Sequence, residues 1–196
     1  MYKIYSNSKA FLVTAFVSFG LIFSGAALAG PDKANKVKPG TPGDLTIVDA
    51  AIATPGFERL VEAILCFGSV DENPVVDLLS GEDKYTVFAP NNAAFDDFFG
   101  VDGDPCTAVD SATLLTVLKY HVTEGRRFAN SAFNLKKPKM IEMLAGGYIM
   151  TTPDLEINDM SEQAPVTLGS LINFNASNGV IHEINAVLDP RPPIAD

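Results

Sequence analysis

The sequence has no tryptophan, two histidines and two cysteines in 196 residues, and its 24 acids outnumber its 14 lysines and arginines. Each shortage excludes something. Without tryptophan there is no indole platform on which sugar rings could stack. The two histidines, His121 and His182, are not spaced as a His-Glu-x-x-His zinc pair. Two cysteines with no histidine beside them supply too few ligands for zinc. A P-loop and a Gly-x-Ser-x-Gly nucleophile elbow are also missing; Gly169-Ser170 lacks the trailing glycine. Ser177 lies near His182, but a triad would also need a positioned acid and an oxyanion hole. The acidic stretch Val101-Asp102-Gly103-Asp104-Pro105 lacks the spacing and the bidentate Glu of an EF-hand. No catalytic residue, metal site or cofactor is expected. The net charge of −10 repels nucleic acid and anionic membrane surfaces. The basic cluster Lys136-Lys137-Pro138-Lys139 reads as a solvated loop.

Long hydrophobic runs are scarce too. The single long one, Ala10 to Phe23, follows Lys3 and Lys9 and precedes Ala27-Leu28-Ala29. That order is an export signal, cleaved after Ala29. The run is short for a membrane span, which needs about 20 residues. With no second apolar run near the C-terminus, neither a membrane anchor nor a GPI signal is expected. Cleavage removes two lysines and no acid, which takes the charge from −10 to −12. Residues 30–43, rich in Lys, Pro and Gly, read as a flexible leader. Residues 44–190 read as one domain and 191–196 as a short tail. Export places Cys66 and Cys106 in an oxidising compartment, so a disulfide between them is expected. The alternative is a buried, unpaired Cys66 acting as a small hydrophobe.

The periodicity changes along the chain. Thr46, with Asp49 three residues on, is a capping-box start. Thr54-Pro55 reads as the next helix start; Phe57, Leu60, Val61, Ile64 and Leu65 form its apolar stripe, and Gly68 stops it. Asn73-Pro74 opens a third helix that ends at Gly81. Tyr85 to Ala89 is a strand. Asn91 caps a helix that holds Ala94, Phe95, Phe98 and Phe99, and Asp110 or Ser111 caps another with Leu114, Leu115 and Leu118. Tyr120-His121-Val122 reads as the start of a strand. Met140–Leu144 and Tyr148–Met150 flank Ala145-Gly146-Gly147, a hairpin signal. Short strands are expected near 155–157, 166–168 and 171–174. Helices in the first half and strands in the second predict an α+β fold with an antiparallel sheet.

The last strand is the most telling. Asn178-Gly179 reads as a turn dipeptide tolerant of positive φ. From Val180 the residues alternate: Val180, His182, Ile184, Ala186 and Leu188 on one face, Ile181, Glu183, Asn185 and Val187 on the other. This predicts one face in the core and His182 buried. The block 178–190 resembles the C-terminal signature of the fasciclin domain family. Tyr85-Thr86-Val87-Phe88-Ala89-Pro90-Asn91-Asn92-Ala93-Ala94-Phe95 resembles its N-terminal one. The resemblance covers about residues 44–190, in one copy. It implies a compact, wedge-like β-sandwich with helices packed on one side. Where Glu183 and Asn185 stand, the family pattern usually has an apolar residue and an aspartate, which predicts a more solvated face or a polar partner there.

The family shares an architecture rather than a chemistry, so the resemblance implies a secreted or periplasmic, non-enzymatic interaction module that meets a surface or matrix protein. Tyr120 and His121 match the family's Tyr-His pair, a region proposed to touch integrins in periostin-like animal members; a binding patch near these two residues follows. The alternative is carriage of a hydrophobic small molecule, since some algal and bacterial relatives bind carotenoids. Met143, Tyr148 and Met150 would then line the groove, because methionine suits irregular apolar surfaces. Asn175-Ala176-Ser177 is formally a sequon, but the short bacterial-type signal predicts no glycan. N-terminal sequencing of the exported protein should begin at Gly30; a mature chain that keeps Lys3 and Lys9 would mean that the leader is an anchor.

Overall fold

The two blocks singled out in the sequence lie side by side. In the computed structural model, which describes residues 43–68, 73–100, 103–161 and 163–190, strand β1 (Tyr85–Pro90) pairs in parallel with strand β8 (Gly179–Ile184). The register runs from Tyr85 opposite Gly179 to Pro90 opposite Ile184. On its other side β1 pairs antiparallel with β2 (Val122–Glu124), and β8 pairs antiparallel with β7 (Phe174–Ala176). The first sheet therefore has the order β2-β1-β8-β7. A second sheet, β3-β4-β5-β6, is an antiparallel meander of Lys139–Glu142, Tyr148–Thr151, Glu156–Asn158 and Val166–Thr167. The expected signal, the tail and the leader up to residue 42 lie outside the described residues; Gly43, the last residue of the leader, donates its N–H to the Asn175 carbonyl at 2.7 Å.

The helices come mainly from the first half of the chain, as the pattern requires: α1 (Ile47–Ala53), α2 (Glu58–Leu65), α3 (Pro74–Ser80), α4 (Asn92–Phe99), α5 (Pro105–Ala108), α6 (Ser111–Tyr120) and α7 (Ala129–Ala132). Their starts follow local chemistry. The Thr46–Asp49 capping box is formed in both directions. Asn91 and Asp110 cap α4 and α6 through their side-chain oxygens. Asn73, fully buried, caps α3 with its oxygen and spends its amide nitrogen on the Ile64 carbonyl at 2.7 Å, so one side chain ties α2 to α3.

Two cores flank the first sheet. Tyr85, Val87, Ala89 and Ile181 pack against the helices, with Ile47, Phe57, Ile64, Leu79 and Phe95. Phe88, Ile184 and Leu188 pack against the inner face of the second sheet, with Ile141, Ile149, Ile157 and Val166. The α+β sandwich with helices on one side is thus observed. Ile47, near the start of the described chain, and Val187, near its end, share the helical core.

Several expectations need correcting. β8 is not buried on one face only: lying between β1 and β7, it buries Val180, Ile181, His182 and Ile184 alike. It also ends at Ile184 rather than running to Leu188. Asn178 and Gly179 do not adopt positive φ. A Cβ on Gly179 would lie 2.2 Å from the Tyr85 carbonyl oxygen and 2.5 Å from Ile47, so the glycine is required by close approach of the chains. Asn178 is a clamp. Its Oδ1 accepts from Ile47 N–H at 2.9 Å, and its amide donates to the Leu79 and Gly81 carbonyls, fastening α1 and α3 to β8.

The second helix begins at Glu58, not at Thr54-Pro55. Thr54 ends α1, with its hydroxyl on the Ala50 carbonyl, and Gly56 at φ 99° turns the chain first. Leu65, expected in the apolar stripe, is exposed, and Ala63 takes the buried position. The segment 120–122 does not begin a strand as a unit: Tyr120 ends α6, His121 is its C-cap and the strand starts at Val122. The strand expected at 171–174 lies at 174–176, after Asn173 at φ 63°.

Cys66 and Cys106 are bridged, with their Cα atoms 5.2 Å apart. The bond joins the C-cap of α2 to the short helix α5, where Asp104 caps the Cys106 N–H. It closes a segment with a sequence separation of 40. Reduction, or replacement of both cysteines by serine, should lower stability by about 4 kcal/mol on chain-entropy scaling, read as an earlier urea midpoint with the fold retained at low denaturant. An unchanged midpoint would mean that the bridge is unformed in the exported protein.

Candidate functional site

The residues chosen from the sequence do not form a surface patch. Tyr120 is completely buried, and its hydroxyl donates to the Tyr148 carbonyl at 2.8 Å, which links α6 to the second sheet. Burial, helped by Asp159, pushes its phenol up to about 12. His121 is 3% exposed. A carbonyl can only accept, so Nδ1 carries the proton and donates to Val117 O at 2.7 Å, while Nε2 accepts from Leu188 N–H at 2.8 Å. Burial holds this imidazole down to about 4. A neutral ring is what both bonds require. The pair that was expected on the surface is structural because the end of α6 passes between the two sheets.

Burial of His182, expected from strand parity, is observed. Its Nε2–H donates to the Arg127 carbonyl at 2.8 Å, and its ring stacks on Phe88 with centroids 5.8 Å apart. Desolvation lowers its pKa. The positions expected to be more solvated or to meet a polar partner do both, with Asn185 exposed and Glu183 half-buried: the Glu183 carboxylate accepts from Asn91, from Ser170 Oγ and from Leu171 N–H, and these bonds lower its pKa against the cost of partial burial. Asn185 exchanges bonds with Thr167, which joins the two sheets.

The groove of the carrier alternative is not assembled. Met143 is 3% exposed and packs in the second core, whereas Tyr148 and Met150 alternate outward on β4 with Ile149 inward between them. The three therefore do not share a face. The apolar void between the helices and the first sheet is about 30 Å³, room for little more than a water.

What lies at the surface beside the buried pair is an open cleft of about 410 Å³. One wall is the end of β2, with Thr123 and Glu124. The other is the β3–β4 turn, with Glu142, Met143 and Leu144, where Gly146 and Gly147 at φ 84° and 75° reverse the chain. The walls are cross-tied: Thr123 Oγ1 donates to Glu142 O at 2.7 Å and Leu144 N–H to Val122 O at 2.8 Å. Arg127 also lines the cleft. Its backbone is held at both ends, N–H on Thr86 Oγ1 at 2.8 Å and carbonyl on His182. Its Nε is buried and has no acceptor. The buried Nε of Arg59, by contrast, has the Asp96 carboxylate at 3.2 Å. Arg126, next in the chain, spends its guanidinium on the Ser177, Ala176 and Gly179 carbonyls and on Asn175, so the sequon asparagine sits inside that hairpin. Sequence reasoning missed Arg126 and Arg127, for which the doublet itself was the visible signal, and it read Asn178 as a turn residue rather than as a clamp. Among the described residues no three His, Cys, Asp or Glu gather as metal ligands.

His121 carries a pH signature. Its pKa falls from an ordinary 6.5 to about 4 on folding. The unfolded chain takes up the proton first, so this stability is present above pH 6.5 and is lost as pH drops toward 4. By pH 4.5 the loss is roughly 2–3 kcal/mol. Urea melts at pH 7 and 4.5 should show it, and a His121→Gln variant, less stable throughout, should have a shallower pH slope. Equal slopes would remove His121 as the source.

Comparison with known proteins agrees with this architecture. The fasciclin-domain family model matches residues 66–190. Protein sll1483 of Synechocystis sp. is 28% identical over 188 residues, covering 90% of this chain and 93% of that protein. The pig transforming growth factor-beta-induced protein ig-h3 is 29% identical over 153 residues; these span 78% of this chain and 20% of the pig protein. A FAS1 domain pair from the insect cell adhesion molecule Fasciclin I superposes with a TM-score of 0.50 over 68% of this chain and 45% of that one, at 16% identity, a likeness of fold alone. With parallel β1–β8 pairing formed by both signature blocks and a family match over most of its length, the chain belongs to the fasciclin domain family.

Proposed function

We propose that this protein is a secreted or periplasmic, non-enzymatic interaction module whose single domain, residues 44–190, meets a surface or matrix protein through the cleft at Arg127. One observation carries the reading. The Arg127 Nε is buried at an open cleft with no acceptor, although Glu124 and Glu142 line the same cleft. An unpaired buried donor is costly. A partner's carbonyl or carboxylate oxygen would satisfy it once the half-exposed side chain turns its Nε into the cleft, and the held backbone of Arg127 limits the order lost on binding. The polar walls suit a protein segment better than a hydrophobic ligand. An adhesive role would be one form of such an interaction; the fold is shared with an insect cell adhesion molecule. No helix among the described residues is long and apolar enough to cross a bilayer.

The test compares wild type with Arg127→Gln, immobilised and exposed to envelope and culture-medium proteins of the native host. The variant should melt as wild type does, since the backbone bonds of residue 127 remain, and should lose at least one protein that wild type retains, with a drop in affinity of about ten-fold or more for one charged hydrogen bond. An identical retained set from both would place the binding surface elsewhere.

A further inference from the structure

The charge of this acidic chain is unevenly distributed. From Gly125 to Ile141 there is no Asp or Glu, yet the stretch holds Arg126, Arg127, Lys136, Lys137 and Lys139. Arg126 is consumed by the β7–β8 hairpin. The three lysines line an open groove of about 750 Å³ between α7 and the start of β3. Lys139 donates to the Ser131 carbonyl, while the ammonium groups of Lys136 and Lys137 have no hydrogen-bond or ion-pair partner among the described residues, in a chain with ten more acids than bases.

The loop that presents them is firmly built. The Asn134 side chain accepts from Lys136 N–H at 2.9 Å, and its carbonyl accepts from Lys137 N–H at 3.3 Å. Phe133, 1% exposed, anchors the loop from below. Leu135 stands out from it at 72% exposure, and Met140, at 59%, follows the lysines. Met140 pairs across the strands with Met150 on the outer face of the second sheet, and Tyr148 shares that face. Leucine, methionine and tyrosine rimmed by unpaired lysines combine an apolar insert with a cationic collar.

We infer that the 134–140 loop docks this protein onto an anionic lipid surface, with Leu135 and Met140 entering the interface and Lys136, Lys137 and Lys139 meeting phosphate headgroups. The chain-wide charge argues against such a surface only if it acts as a single charge. Carboxylates farther away than about 8–10 Å are screened at physiological salt, whereas each lysine at the surface adds to attraction. Asp154, exposed in the turn after β4, and Glu142, opposite Tyr148, are the exposed carboxylates of the adjoining strands, and among the described residues neither forms an ion pair with a lysine of the loop. A soluble polyanion would use the lysines but has no need of Leu135.

Flotation of the full mature chain with vesicles is the test. It should bind phosphatidylglycerol-containing vesicles and not vesicles of phosphatidylcholine alone, and binding should weaken with salt. K136Q/K137Q should lower partitioning about thirty-fold at low salt, from a factor of about five per lysine. Leu135→Ser should lower it as well, and neither loop change should shift the melt or the Arg127-dependent binding. No flotation with the anionic vesicles would overturn the inference. So would flotation indifferent to Leu135, or retention on a soluble polyanion such as heparin without vesicle binding.

Discussion

The parallel contact between β1 and β8 is the constraint on which the rest of the molecule depends. It joins segments almost a hundred residues apart and leaves no room between them: a side chain at Gly179 would strike the Tyr85 carbonyl. Because β8 is central, its residues must serve two cores, Ile181 toward the helices and Ile184 toward the second sheet. Such a strand cannot shift register without exchanging both sets. Asn178 adds the helices to the same contact by clamping α1 and α3.

Polar groups inside this fold act as fasteners. His121 bridges the end of α6 to the backbone at Leu188. His182 holds the Arg127 carbonyl, and Glu183 gathers three donors from the loop before β7 and the start of α4. Arg126 collects the carbonyls of the β7–β8 turn. Each is buried or half-buried, and each has its bonds, as a low-dielectric setting demands. Arg127 stands apart from them: its backbone is fully engaged while its Nε is not.

The surface divides in the same spirit. Acids dominate the chain, yet one continuous stretch without them wraps the start of the second sheet. Net charge is a property of composition, whereas the potential that a partner meets depends on which residues the fold brings to one side.

The sequence by itself determined the α+β class, the capping-box start of α1, the Asn73-Pro74 start of α3, the β3–β4 hairpin, the burial of His182 and the cysteine pairing, because each rests on local periodicity, turn chemistry or a count of two. It misplaced the start of α2, since Pro55 permits a helix and only the turn at Gly56 postpones it. It could not decide that β8 is central, because alternation looks alike for a strand with one neighbour or two. It assigned Tyr120 and His121 to the surface, and only packing of the α6 end between two sheets buried them. Met143, Tyr148 and Met150 were grouped by composition and then separated by the pleat, which sends alternate side chains to opposite faces. The Arg127 cleft was invisible for the same reason: its walls come from β2 and the β3–β4 turn, and a site made by two sheets exists only once they are docked.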